Sequence, residues 1–226
     1  MTLSFAEFVL AASTAELSEE PAARDHADAV EYRMDLGEAG FDGLAAYDGE
    51  LPLIVTDRVE WEGGESADTP ERIDRLTRAV DQPNVAAVDV ELAAVEDCQP
   101  VIEAATGTDV SIIVSVHDFE ETPERDELAA KLDAACEHGD IGKLAVTAQS
   151  RADVLDLLAV THEQTAVGNT VATMAMGEAG RHSRAVAPLY GSRIGYAPVD
   201  PEAATAPGQY HLEQLRSLVD ALDDDA

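Results

Sequence analysis

The feature that most constrains the fold is the alternation of short apolar, β-branched runs with stretches of helical periodicity. The eight runs occupy residues 8–12, 29–35, 53–58, 85–92, 111–119, 142–148, 170–176 and 193–199. Such alternation is typical of α/β proteins in which a parallel sheet is covered by helices. No linker rich in Pro, Ser or Gly divides the chain, so we expect a single domain over residues 1–226, with an acidic tail at 222–226.

Helix-start signals lie between the runs. Thr69-Pro70-Glu71 offers an N-cap, a proline at the first helical position and an acid in the first turn, and residues 122–124 repeat the pattern. Ser150 is a third N-cap candidate, and residues 211–222 form an amphipathic pattern. Because there are eight units and no glycine-rich dinucleotide fingerprint after the first run, a closed (β/α)8 TIM barrel is favoured over an open doubly wound sheet.

The net charge is −32, from 46 acidic and 14 basic residues. This charge excludes nucleic-acid binding through a basic surface and disfavours an anionic membrane partner. The acids are spread through every segment, which indicates adaptation to high salt, where screening reduces their mutual repulsion. No targeting or membrane-spanning pattern is recognisable, so we expect a cytoplasmic protein. Cys98 and Cys136 lack the spacing of a metal or redox site and are expected to be buried free thiols.

In a (β/α)8 barrel the chemistry lies at the carboxyl ends of the strands, so polar or pocket-lining residues near the end of a run are candidates. These residues are Glu31, Arg33, Asp35, Arg58, Glu62, Asp89, Glu91, His117, Asp118, Lys143, Met174, Met176 and Tyr196. We expect them to converge on one mouth of the barrel.

Lys143 is the first candidate for a catalytic group. It is one of only two lysines and lies in the apolar run 141–146, where an ammonium is costly to bury. Burial and neighbouring cations would both favour the neutral amine, which is a nucleophile for Schiff-base formation with a carbonyl. The alternative is a structural lysine that snorkels or forms a salt bridge.

His117 and Glu62 are candidates for acid–base chemistry. His117 ends the run 112–116, and an imidazole with an ordinary pKa of about 6.5 suits a general acid and base. Glu62 precedes two glycines that permit a tight turn, and a carboxylate there could orient the imidazole and stabilise its protonated form. A structural histidine and a solvated acid are the alternatives.

Arg33, Arg58 and Arg184 lie near predicted strand ends or in the loop after one. Their guanidinium groups suit a carboxylate or a hydroxyl-rich anionic substrate, and the alternative is salt bridging to the abundant acids. No spacing of His, Cys, Asp or Glu indicates a metal site, and no phosphate-binding loop or nucleophile-elbow serine is present.

Eight stretches carry a resemblance to a known family. They are EYRMD at 31–35, PLIVTDRVEWEGG at 52–64, VDVEL at 88–92, IIVSVHDFEETP at 112–123, KLAVTAQSRADVLDLL at 143–158, TMAMGEAGRHSR at 173–184, YGSRIGY at 190–196 and ATAPGQ at 204–209. They span nearly the whole chain in order, and in them the chain resembles the type I 3-dehydroquinate dehydratases, Schiff-base lyases of the shikimate pathway to aromatic amino acids.

The resemblance implies that Lys143 forms an imine with the C3 ketone of 3-dehydroquinate. It implies that His117 removes a proton at C2 and returns one to the C1 hydroxyl, while Glu62 holds the imidazole. It further implies a substrate-binding set of Glu31, Arg33, Arg58, Arg184, Thr205 and Gln209, with Met174, Met176 and Tyr196 lining the pocket. The reaction so implied uses no metal and no separate cofactor.

The sequence departs from the family pattern in places. Thr205 stands where Ser is usual and Tyr196 where Phe is common, and residues 8–13 match the first strand too loosely to assign a contact. Two alternatives share parts of this pattern: another Schiff-base barrel lyase or aldolase, and a non-catalytic module that holds a small carboxylate. We expect a homodimer whose other partner is the small-molecule substrate, with no nucleic acid and no membrane.

Overall fold

A computed structural model describes residues 3–200 and 208–223 as a barrel of eight parallel strands. The strands are β1 (Val9–Thr14), β2 (Ala29–Arg33), β3 (Leu53–Thr56), β4 (Val85–Glu91), β5 (Ser111–Asp118), β6 (Ile141–Thr147), β7 (Val171–Met176) and β8 (Ile194–Pro198). Their order is β7-β6-β5-β4-β3-β2-β1-β8. A single bridge between Val171 and Ser192 joins the two ends, so the barrel is nearly closed. The predicted (β/α)8 fold is confirmed.

Helices lie between the strands on the outside of the barrel. In the described ranges they are α1 (Glu20–Ala23), α2 (Gly40–Ala45), α3 (Pro70–Val80), α4 (Gln99–Ala105), α5 (Arg125–His138), α6 (Arg151–Ala166), α7 (Gly177–Gly180), α8 (Ser183–Val186) and α9 (Leu212–Asp223). Short 3-10 helices occupy Leu17–Glu19, Glu60–Glu62, Leu92–Ala94 and Ala187–Tyr190. None of these helices is both long enough and apolar enough to cross a membrane.

The predicted helix starts were correct at two of three positions. α3 begins directly after Thr69, and α6 begins after Ser150, whose hydroxyl accepts a hydrogen bond from the Ala152 N–H in a capping box. The start predicted at 122–124 was wrong, because α5 begins at Arg125. The Thr122 hydroxyl instead donates to the Thr147 carbonyl at 2.9 Å and ties this loop to the end of β6.

Two smaller expectations need correction or extension. Cys98 is buried and free, whereas Cys136, near the end of α5, is free but only half-buried. α9 continues to Asp223, so the first two residues of the predicted acidic tail are helical, and residues 224–226 lie outside the described part.

Side chains alternate between the barrel interior and the helix-facing surface, as the two-residue period of a strand requires. On β5, Ile112 and Val114 pack in a core with residues of α3 and α4, whereas Ile113 packs inside the barrel. Further along the same inward face lie Ser115 and His117. The inward face therefore changes from apolar to polar toward the carboxyl end, and the apolar layers form the floor of the site.

Candidate active site

The carboxyl ends of the strands surround a pocket that opens to solvent. The predicted site residues that line it are Glu31, Arg33, Arg58, Glu62, His117, Lys143, Met174, Met176, Arg184, Tyr196 and Gln209. Thr205 lies outside the described residues. The structure thus brings together the predicted catalytic and substrate-binding residues that it describes, although they are far apart in the chain. The other strand-end candidates are not among the lining residues: Asp35, Asp89, Glu91 and Asp118.

Lys143 lies at the bottom of the pocket on β6 and is only 4% exposed. Its Nζ donates to Oδ2 of Asp89 at 2.9 Å and lies 3.7 Å from Oε1 of Glu31. The same ammonium lies 4.2 Å from the centroid of the Tyr196 ring, within the range of a cation–π contact. The groups closest to Lys143 are therefore two carboxylates and an aromatic face, and not the cations expected from the sequence.

Asp89 connects Lys143 to Arg58. The other carboxylate oxygen of Asp89, Oδ1, accepts hydrogen bonds from the Arg58 guanidinium at 2.7 Å and from the Ser115 hydroxyl at 2.7 Å. Burial opposes ionisation of Asp89, but the charges of Arg58 and Lys143 outweigh it and hold the pKa of this carboxyl well below its usual range. Asp89 is therefore a fixed negative charge beside the Lys143 amine.

Glu62 holds the imidazole of His117 at the mouth of the pocket. Oε1 of Glu62 lies 3.1 Å from Nδ1 of His117 and also accepts the His117 backbone N–H at 2.9 Å. The Phe119 ring stacks on the imidazole at a centroid distance of 5.9 Å. With Nδ1 engaged by Glu62, Nε2 is the ring nitrogen left for a reactant. In the register of β5 and β6, Ser115 pairs with Lys143, so His117 lies one inward position closer to the mouth.

The pKa shifts of Glu62 and His117 disfavour an ion pair between them in the resting site. Burial, together with the charges of Arg58 and Lys143, lowers the pKa of His117 well below its usual value. Burial raises the pKa of Glu62 to about 7, although Arg58 opposes this. A stable imidazolium–carboxylate pair would show the opposite directions. Both directions favour a neutral imidazole in the resting site, which is the form that acts as a base, and stabilisation of a charged imidazole by Glu62 stays a prediction for the reaction itself.

The loop between β3 and α3 delivers both Arg58 and Glu62. Glu91 fixes its start, because Oε1 accepts the Val59 N–H at 3.1 Å while Oε2 accepts from the fully buried Arg72 on α3 at 3.0 Å. Gly63 then turns the chain with a positive φ of 79°, and a Cβ there would lie 2.4 Å from the Phe119 ring. The glycine therefore allows the loop and the ring next to His117 to pack together.

The three arginines have different surroundings. Arg33 forms a bidentate pair with Asp35, at 2.9 and 2.6 Å. Arg58 is bound to Asp89 and lies 3.5 Å from Glu91. Arg184 is 3% exposed, and burial lowers its pKa to about 10. A guanidinium desolvated in this way is a strong site for an anion that enters the pocket.

Some residues of the site were not in the predicted set. Gly63, Phe119 and Ala145 also line the pocket, and Ser13 of β1 donates to Glu31 at 2.6 Å. Asp89 was recognised as a strand-end residue but was given no role. Ser115 lies two residues before His117 on β5, so the two-residue period of a strand could have predicted it. Nothing in the sequence indicates that Asp89 rather than Glu31 is the closer neighbour of Lys143.

Among the described residues, no group of three or more His, Cys, Asp or Glu side chains is arranged to hold a metal ion. The chemistry available in the pocket is that of an amine, a base and several anion-binding cations. Such a set at the carboxyl ends of parallel strands is the arrangement found in (β/α)8-barrel enzymes. The fold and the site together therefore define the chain as an enzyme of this class.

Comparison with known proteins narrows the class to one family. The family model described as Type I 3-dehydroquinase matches residues 8–226. A 3-dehydroquinate dehydratase from Haloarcula marismortui is 55% identical over 99% of this chain and 100% of its own length. Another from Halobacterium salinarum is 50% identical over 96% of this chain and 98% of its own length. The chain belongs to the type I 3-dehydroquinase family, and these relatives agree with the expected salt adaptation.

A solved structure supports the same assignment. The type I 3-dehydroquinate dehydratase from Clostridium difficile with covalently modified comenic acid is 26% identical, with a TM-score of 0.86, covering 97% of this chain and 94% of that chain.

Proposed function

We propose that the protein dehydrates 3-dehydroquinate to 3-dehydroshikimate through a Schiff base on Lys143, with His117 as general acid and base. The observation that carries this proposal is the position of the Lys143 amine, which is buried at the bottom of a pocket whose mouth carries the His117–Glu62 pair. Membership of the type I 3-dehydroquinase family supplies the substrate class.

The first step forms the imine. The Lys143 ammonium first transfers one proton within the pocket, and the neutral amine attacks the C3 carbonyl to give a carbinolamine. The carbinolamine hydroxyl then takes up that proton and leaves as water, which gives the iminium. The iminium draws electrons from C2, so the C2 proton becomes acidic enough for a neutral imidazole to remove it. The iminium itself is the electron sink, and the reaction needs no metal or separate cofactor.

The second step expels the C1 hydroxyl. The enamine electrons form the C1–C2 double bond, and the hydroxyl leaves as water with a proton from the His117 imidazolium. A second water then hydrolyses the product iminium and restores the Lys143 amine. Overall, one substrate molecule gives one product molecule and one water.

The remaining pocket residues bind the substrate in this proposal. Arg184 receives the carboxylate, while Glu31, Arg33, Arg58 and Gln209 contact the polar ring substituents, and Met174, Met176 and Tyr196 form the apolar walls. Thr205 is proposed as a further hydroxyl contact on the resemblance alone. The position of Arg184 in the pocket lining supports its role, because a guanidinium can form a bidentate pair with an incoming carboxylate.

We also propose that the chain is a single-domain, cytoplasmic homodimer. Closed two-fold dimers are the most frequent oligomers of soluble enzymes. Light scattering in molar KCl measures the oligomeric state, and a monomeric mass would contradict this proposal.

The test of the mechanism is reduction of the imine in molar salt. Intact mass is measured after incubation with 3-dehydroquinate and borohydride, followed by peptide mapping. The chain offers a matched control, because its other lysine, Lys131, lies on α5 and pairs with Glu127. Lys143→Arg should lose the adduct and turnover, whereas Lys131→Arg should keep both.

Two outcomes would contradict the proposal. An adduct that maps to Lys131 would show that the amine has been assigned incorrectly. A folded wild-type protein with no adduct and no conjugated enone absorbance would favour the non-catalytic carboxylate-binding module.

A further inference from the structure

We propose that Asp89 is the counter-ion of the Schiff-base nitrogen and keeps the imine on Lys143 protonated during the reaction. The inference rests on the proposed function, because it concerns the imine that Lys143 would form. It assigns a role to a carboxylate that touches the reacting nitrogen directly, at 2.9 Å.

The position of Asp89 is fixed independently of Lys143. Its Oδ1 accepts from Arg58 and from Ser115, both at 2.7 Å, which leaves Oδ2 directed at Nζ. Asp89 itself is 1% exposed. A carboxylate held in this way needs little reorganisation when the nitrogen changes from amine to iminium, and such preorganised charges are the most effective form of electrostatic stabilisation.

Asp89 is better placed for this role than Glu31, the other carboxylate near Nζ. Glu31 lies farther away, at 3.7 Å, and accepts hydrogen bonds from the Ser13 hydroxyl at 2.6 Å and the Thr56 hydroxyl at 3.2 Å. The Tyr196 ring covers another side of the nitrogen at 4.2 Å and adds a further attraction for a cation. The nitrogen is therefore surrounded by groups that favour positive charge.

The protonation state matters because only a protonated imine is a strong electron sink. If the nitrogen lost its proton, removal of the C2 proton would slow even with His117 in place. The charged and titratable groups that face the nitrogen come from five strands or the loops after them: Glu31, Arg58, Asp89, His117 and Tyr196. Within this set, Asp89 is the anion in direct hydrogen-bond contact.

The test separates imine protonation from turnover. Cyanoborohydride reduces protonated imines, whereas borohydride also reduces neutral ones, so the ratio of the two adducts on Lys143 reports the protonated fraction. The ratio is measured by intact mass, with 3-dehydroquinate in molar KCl, from pH 6 to pH 10. The midpoint is the pH at which the cyanoborohydride-to-borohydride ratio has fallen to half of its value at pH 6. For Asp89→Asn we expect this midpoint to move down by about 1–2 pH units, because loss of an adjacent negative charge lowers the pKa of the iminium.

Asp89→Asn should also lower kcat by about 100-fold, which is the scale of losing one preorganised electrostatic contact. Ser115→Ala is the matched control, because it removes a hydrogen bond to Asp89 at the same depth but keeps the negative charge. Its ratio should follow that of the wild type. Glu31→Gln should give a smaller shift than Asp89→Asn.

An unchanged ratio in folded Asp89→Asn would overturn the proposal, as would an equal or larger shift in Glu31→Gln. If Asp89→Asn does not fold, Asp89→Glu keeps the charge near Arg58 but moves the carboxylate by one methylene. This variant should then show a smaller shift in the same direction, and no shift would overturn the proposal. Absence of any wild-type adduct with either reagent would instead refute the Schiff base itself.

Discussion

Glu62→Gln removes a carboxyl whose ionisation opposes folding. Burial raises the pKa of Glu62 from 4.5 to about 7, so the folded protein binds this proton more tightly than the unfolded chain does. The difference corresponds to about 3 kcal/mol, at 1.36 kcal/mol per pH unit. The sign follows from the raised pKa. Below pH 4.5 both states are protonated and Glu62 has no effect, and as the pH rises toward 7 the wild type loses stability.

Glutamine has nearly the same shape and keeps an oxygen that can accept the His117 backbone N–H, but it does not titrate. The free energy of unfolding of the variant should therefore rise relative to that of the wild type by about 2 to 3 kcal/mol between pH 5 and pH 8. The assay is urea unfolding of both proteins at each pH in a fixed molar concentration of KCl. Using the difference between the two proteins cancels most contributions of the titrating groups that do not contact Glu62.

The reasoning would be refuted by a difference in unfolding free energy that is the same at pH 5 and pH 8. A variant that loses stability relative to the wild type as the pH rises would refute it more strongly, because that result requires an ionised Glu62 that the folded site stabilises. Turnover measured in parallel should fall in the variant, since the amide cannot orient the imidazole in the same way during proton transfer.

Three further predictions follow from the site and the charge. His117→Ala should lower kcat by about 10³-fold while borohydride still traps an adduct on Lys143, because proton transfer and imine formation use different groups; loss of the adduct in a folded variant would contradict this. Arg184→Ala should raise KM by about 10- to 100-fold, the scale of hydrogen bonds to a charged group, with a smaller change in kcat; an unchanged KM would remove Arg184 from the carboxylate site. The net charge of −32 predicts a lower melting temperature in dilute buffer and recovery in molar KCl, where charges are screened beyond about 3 Å; equal melting curves would contradict the salt adaptation.

The architecture could be predicted from the sequence because its physical basis is local. Burial on both faces produces continuous apolar runs, and each of the eight predicted runs overlaps a strand whose ends agree with it within two residues. The same runs predicted the site, since parallel strands bring their carboxyl ends to one edge. The loop before α5 was the exception, because the Thr122 hydroxyl contacts Thr147 from a different part of the chain.

The side chains that contact one another within the pocket could not be predicted from the strand pattern. Sequence positions predicted that Asp89, Glu31 and Lys143 would reach the same mouth, but the distances of 2.9 and 3.7 Å depend on the stagger between strands around the barrel. The protonation of His117 and Glu62 was also decided by the tertiary structure. Both pKa shifts arise mainly from burial and from charges on other strands, and a linear pattern contains neither quantity.

The sequence by itself therefore determined most of the residues that the strands bring to the pocket, because strand periodicity and strand direction are properties of local segments. Only the tertiary structure decided how these residues pair, with Asp89 held by Arg58 and Ser115 and directed at Lys143. The physical reason is that electrostatic interactions in a buried site depend on distances of a few ångströms and on exclusion of water, and both arise only when the barrel closes.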